Sequence, residues 1–144
     1  MAQPGKHFDE GPGPATPSKA SARDSEPNQL DFELEYFNGL LRHNPDYVDV
    51  LRIMGSLLAL KGMFAEGLKI DKKLVRLRPA DSLAHYNLAC SYALLNRSDA
   101  SIKTLRKAVE LGYRDFRYMR EDPDLDTIKQ DPRFRELLSD YADE

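Results

Sequence analysis

Residues 51–79, LRIMGSLLALKGMFAEGLKIDKKLVRLRP, and residues 85–113, HYNLACSYALLNRSDASIKTLRKAVELGY, lie 34 positions apart and align without a gap. Met54 falls over Leu88, Gly55 over Ala89, Leu58 over Tyr92 and Leu60 over Leu94. Three further columns run back into an earlier segment: Leu34, Leu68 and Ile102; Leu40, Leu74 and Ala108; Leu41, Val75 and Val109. Pro45 and Pro79 share a column whose third member is Tyr113. A fixed period of this size is the mark of one supersecondary unit repeated and stacked. The apolar spacing inside each unit is helical, so each full repeat predicts two helices.

Upstream, LDFELEYFNGLLRHNP places Leu30, Leu34, Phe37, Leu40 and Leu41 on one helical face. It predicts an amphipathic helix that closes near His43, because the residue before Pro45 is biased away from helical angles. A small residue at Gly55 or Ala89 lets the second helix of each pair approach closely. A lone pair cannot cover its own apolar face, and about three units are wanted for a stable stack. Two and a half are present, so the ends need covering. Downstream, Asp122-Pro123 and Asp131-Pro132 each set a capping carboxylate before a proline suited to the first helical position. The second start leads into Phe134, Leu137, Leu138 and Tyr141, an amphipathic stripe.

The 144 residues are 41% hydrophobic and 31% charged, with net charge −3 and mean hydropathy −0.59. That is one domain's length. No apolar run approaches the ~20 residues of a membrane span, and the N-terminus lacks the apolar core of a secretory signal. Cys90 is the lone cysteine, so an internal disulfide is impossible and a zinc site would draw on His7, His43 and His85. A cytoplasmic location is the expectation, with neither membrane nor nucleic acid as partner, since the balanced charge supplies no strong field. Residues 1–27 hold five of the nine prolines and only Met1 and Phe8 as large apolar side chains. A segment of that composition cannot offset its conformational entropy by burial, which predicts a disordered tail.

With Leu51, Met54, Gly55, Leu58, Gly62, Phe64, Gly67 and Pro79, and again with Leu88, Ala89, Tyr92, Ser101, Leu105 and Ala108, the chain resembles the tetratricopeptide repeat family. Asp71 departs from the family's aromatic and Asn96 from its inter-helix glycine. The run GYRDFRYMREDPDLDTIKQDPRFRELL resembles the segment that closes such arrays in many bacterial proteins. The resemblance implies an all-α, right-handed solenoid of antiparallel helix pairs with a short C-terminal cap: a tail over 1–27, a half repeat over 28–47, repeats over 48–81 and 82–113, and a capping segment over 114–144. Phe116, Tyr118, Met119, Leu125, Ile128, Phe134 and Leu137 would be the cap's anchors.

Catalytic signatures are missing: there is no phosphate-binding glycine loop, nucleophile elbow, H-E-x-x-H or paired-cysteine motif. Asp122, Asp124 and Asp126 alternate as in a calcium loop, but Thr127 and Arg133 stand where such a loop needs glycine and glutamate, so helix capping is expected instead. His85 occupies the core column of Leu51 and is expected to pack. Cys90 is expected to act as a small hydrophobe. Lys69, Lys72, Lys73 and Arg76 form a basic stripe expected to be a solvated outer face.

The resemblance further implies a concave face built from the first helix of each repeat: Asp49, Arg52, Ser56, Ala59 and Leu60, then Leu83, Tyr86, Asn87, Cys90, Ala93 and Leu94. The expected function is non-catalytic binding of a protein or peptide partner in that groove, with no cofactor or metal, and with Arg52, Tyr86 and Asn87 as leading contacts. Arg52 with Asn87 suits a carboxylate, yet Ser56 replaces the asparagine of the family's carboxylate clamp. The alternative is a structural or self-associating end of a larger array, prompted by the unpartnered helix over 28–43.

Overall fold

The computed structural model of the chain describes residues 27–141. The tail expected over 1–27 lies outside the described residues except for Pro27, and residues 142–144 lie outside them as well. Helix α1 (Pro27–His43) ends before Asn44-Pro45, as the sequence predicts. Two helix pairs follow, α2 (Val48–Lys61) with α3 (Phe64–Leu77), then α4 (Ser82–Leu94) with α5 (Ser98–Glu110). The chain continues through α6 (Phe116–Glu121), a 3-10 turn (Pro123–Ile128) and α7 (Pro132–Asp140), with no strand among the described residues.

The turn inside each pair is built the same way from different residues. Gly62 takes a left-handed φ of 83° and caps α2, while the Met63 amide donates to Leu58 O at 2.8 Å. Asn96 takes the same role after α4 with φ of 61°, and the Arg97 amide donates to Tyr92 O at 2.9 Å. Asparagine is among the few residues that tolerate this conformation, so its departure from glycine keeps the turn. Close approach also holds: a Cβ on Gly55 would lie 3.1 Å from Asp71 Oδ1 and 3.8 Å from Ile70 Cγ2, both on α3. In the second pair the Ser101 hydroxyl donates to the Ala89 carbonyl at 2.8 Å, tying α5 to α4.

Each helix packs on the next, α1 on α2, α2 on α3, α3 on α4 and α4 on α5. Val50, Met54 and Leu58 meet Leu34, Phe37, Leu40 and Leu41 of α1, and Leu51, Leu74 and Ala84 join the first pair to the second. Leu30 is buried, while Leu34 and Phe37 are partly covered; the large apolar groups that α1 leaves exposed are Phe32 and Tyr36. Those two point away from α2 because they lie off the face that Leu34, Phe37 and Leu41 present to it.

The largest core lies at the C-terminal end. Ala89, Ala93, Ile102, Leu105, Ala108 and Val109 of the second pair share it with Phe116, Met119, Leu125, Ile128, Phe134 and Leu137. Six of the seven expected anchors are therefore buried, whereas Tyr118, against expectation, is 50% exposed. Helix α6 has six residues and turns only Phe116 and Met119, three apart, toward the core. Both Asp-Pro starts are occupied as expected for caps: Asp122 accepts from the Asp124 amide at 3.0 Å and Asp131 from the Arg133 amide at 2.9 Å. The first opens a 3-10 turn rather than an α-helix. No helix among the described residues is long and apolar enough to cross a membrane.

Candidate binding groove

Arg52 and Ser56 stand one turn apart on α2, and Leu83 and Asn87 one turn apart on α4. The two helices carry these four residues into one cavity of about 360 Å³. Asp71 and Leu74 of α3 lie beneath it, and Tyr113, Tyr118, Asp122 and Asp124 of the C-terminal segment form its far wall. Leu83 is 49% exposed, and the Asn87 side chain is exposed with no hydrogen-bond partner among the described residues. Asp49 is exposed on α2 but does not line the cavity.

Arg52 is already engaged. Its guanidinium forms an ion pair and hydrogen bond with Asp81. Asp81 also caps α4 by accepting from the Leu83 amide at 3.0 Å and the Ala84 amide at 3.2 Å. Partial burial raises its carboxyl, but the Arg52 hydrogen bond and the capping amides outweigh that and hold it below the ordinary range. A carboxylate arriving in the groove would have to compete with Asp81 for Arg52.

Asp71, the departure from the family's aromatic, is only 6% exposed. The Ser91 hydroxyl of α4 donates to its Oδ2 at 2.5 Å, so the pair links the two repeats. Burial pushes the Asp71 carboxyl up to about 6, against the lowering effect of that hydrogen bond.

The expectation that Tyr86 and Cys90 face an open groove does not match their surroundings. The 3-10 turn lies against α4 and covers that half of its face, with the Thr127 hydroxyl donating to Ala93 O at 3.0 Å. Tyr86 is 2% exposed; its hydroxyl donates to Asp122 Oδ2 at 2.7 Å, and the Tyr113 ring stacks on it at 4.3 Å and 6°. Burial, the adjacent Cys90 and the Asp122 contact push the Tyr86 phenol far above its ordinary range. Cys90 is buried with Sγ 3.7 Å from Asp122 Oδ2, and burial followed by Asp122 and Asp124 pushes its thiol well up. Both residues touch the cavity from within its wall.

Among the described residues, Cys90, Asp122 and Asp124 are grouped closely enough to hold a metal ion, with ligand atoms within 4.8 Å of one another. The thiol must lose its proton to ligate, and its surroundings oppose that loss. Asp122 is taken up by Tyr86, Cys90 and the Asp124 amide. This is a self-satisfied hydrogen-bond cluster. Of the other singled-out groups, His85 packs with its Nε2 2.8 Å from Pro79 O. Within the basic stripe, Lys69 meets Glu66 at 3.8 Å, Lys73 meets Asp46 at 3.3 Å and Lys72 lies over Tyr92 at 5.9 Å.

The fold and the groove define a class of molecule: a tetratricopeptide-like solenoid of stacked helix pairs whose C-terminal segment closes over the last first-helix. No family model matches the chain. A chloroplastic protein of Arabidopsis thaliana is 35% identical to it over 83 residues, which are 56% of this chain and 25% of that protein. The chain therefore spans about a quarter of that relative's length. Among solved structures, the MamA RS-1 ArsTM double mutant superposes with a TM-score of 0.57, covering 88% of this chain and 74% of that one at 18% identity. At that identity the likeness is one of fold.

Proposed function

We propose that the chain is a non-catalytic interaction module that takes an extended peptide or protein segment in the groove between α2 and α4. The observation that carries this reading is the cavity of about 360 Å³ between two consecutive repeats, into which α4 turns an exposed leucine, Leu83, and an unengaged amide, Asn87, opposite Ser56 of α2. Apolar area beside an unused donor and acceptor is the arrangement that captures a peptide backbone and one anchoring side chain. The helical-repeat fold supports a protein partner. Ser56, Leu83 and Asn87 are the contacts proposed; Arg52 positions Asp81, and Tyr86 holds the wall. Asp49 flanks the groove. The closing segment over 114–144 serves as the end cap of the array. A reducing compartment such as the cytoplasm suits the single buried thiol.

The test is selection of a random peptide library against the full chain, with counter-selection against Ser56→Arg combined with Asn87→Arg. These exposed positions accept arginine without disturbing the core. Clones that bind the wild type and lose the double variant are expected. Clones that bind both equally contradict the groove.

A second reading, self-association through α1, is favoured by Phe32 and Tyr36, which lie one turn apart and are both more than half exposed. A sedimentation profile independent of concentration contradicts it.

A further inference from the structure

We propose that the groove is built for a cationic side chain, the lysine or arginine of an extended peptide, with its charged head against Asp71 and with Asp122 and Asp124 on the facing wall. This rests on the groove reading above and specifies the ligand class.

Four charged side chains line the cavity, and only Arg52 is basic. Asp81 already holds it. Asp71 is more than nine-tenths buried, with Oδ2 taken by Ser91 and Oδ1 without a partner among the described residues. Gly55 is what leaves Oδ1 reachable, because a Cβ there would sit 3.1 Å from it. Across the cavity, carboxylate oxygens of Asp122 and Asp124 lie within 4.8 Å of each other and of Cys90 Sγ. A cation in the cavity pairs with the open oxygen of Asp71, and the carboxylates of Asp122 and Asp124 make the facing wall acidic. An acidic segment would instead meet three carboxylates and an arginine already engaged.

The shape agrees with the charge. Leu83 and Tyr118, both about half exposed, line the same cavity as Asp71. A lysine or arginine stem packs on such surfaces while its head reaches beyond them, and a guanidinium also stacks on a tyrosine ring. Burial holds the Asp71 carboxyl up at about 6, so a ligand that supplies positive charge stabilises its ionised form.

The test uses the full chain and three matched pools of fluorescein-labelled, acetylated octapeptides with a central Lys/Arg, Asp/Glu or Gln/Ser, titrated in EDTA by fluorescence polarisation. The basic pool is expected to bind about tenfold or more tighter than the other two. Asp71→Asn keeps an acceptor for Ser91 and removes the charge; it is expected to weaken the basic pool about tenfold, while Glu136→Gln on α7 leaves it unchanged. Thermal unfolding of each variant monitors the fold. Equal affinity for basic and acidic pools, no loss in Asp71→Asn, or binding that requires added calcium or zinc each overturns the inference. Groove-dependent clones from the random library without lysine or arginine enrichment overturn this inference alone, whereas a library yielding no groove-dependent clone removes both readings.

Discussion

Asp71 concentrates the tension between stability and function at a single side chain. Its carboxyl ionises near 3.8 in the unfolded chain and at about 6 in the folded one. Its favourable contribution is therefore complete below about pH 4 and is lost as the pH rises through about 6. The displacement from 3.8 to about 6 corresponds to ~3 kcal/mol against the folded state at neutral pH. Asp71→Asn removes the titration, and part of the gain is offset by a weaker bond from Ser91. The variant is expected to be about 2 kcal/mol more stable than the wild type at pH 7.5, with the advantage gone near pH 4. Urea midpoints at the two pH values check this, and an equal effect at both contradicts the buried titration. Sequence alone marks Asp71 as a departure and Arg52 as a groove residue. It does not reveal that Ser91 meets Asp71 and Asp81 takes Arg52, because those partners lie 20 and 29 positions away in sequence.

At the level of elements, the helices were legible and one docking event was not. The period of 34 places both helix pairs, and the Asp-Pro dipeptides place the caps. Tyr86 and Cys90 sit at positions that face outward in a solenoid with an empty end. The 3-10 turn fills that end, and nothing in the periodic columns signals it, since residues 114–141 carry no copy of the repeat. Their apolar residues show that something is covered; only the packing shows that α4 is the surface covered. Leu125 is fully buried in that contact. Leu125→Ala is expected to cost about 3 kcal/mol through lost transfer energy and the remaining cavity. Equilibrium denaturation measures this, and a loss below about 1 kcal/mol would mean that the turn adds little to the fold. The same geometry disqualifies Tyr86→Ala as a groove probe, because it opens the core before it touches a ligand.

Across the whole molecule, the stack is uneven. Small clusters join α1, the first pair and α4, whereas the second pair and the closing segment share one large core. The groove is set against that larger core, with an acidic wall donated by the cap and a mixed wall donated by the repeats. Cys90, the single cysteine, lies under that closure and reports on it directly. Its labelling by a disulfide reagent at pH 8 is expected to be at least about a hundredfold slower in the native chain than in urea, and faster in Leu125→Ala. Labelling of the native chain at the unfolded rate would contradict the closure of α4 by the C-terminal segment.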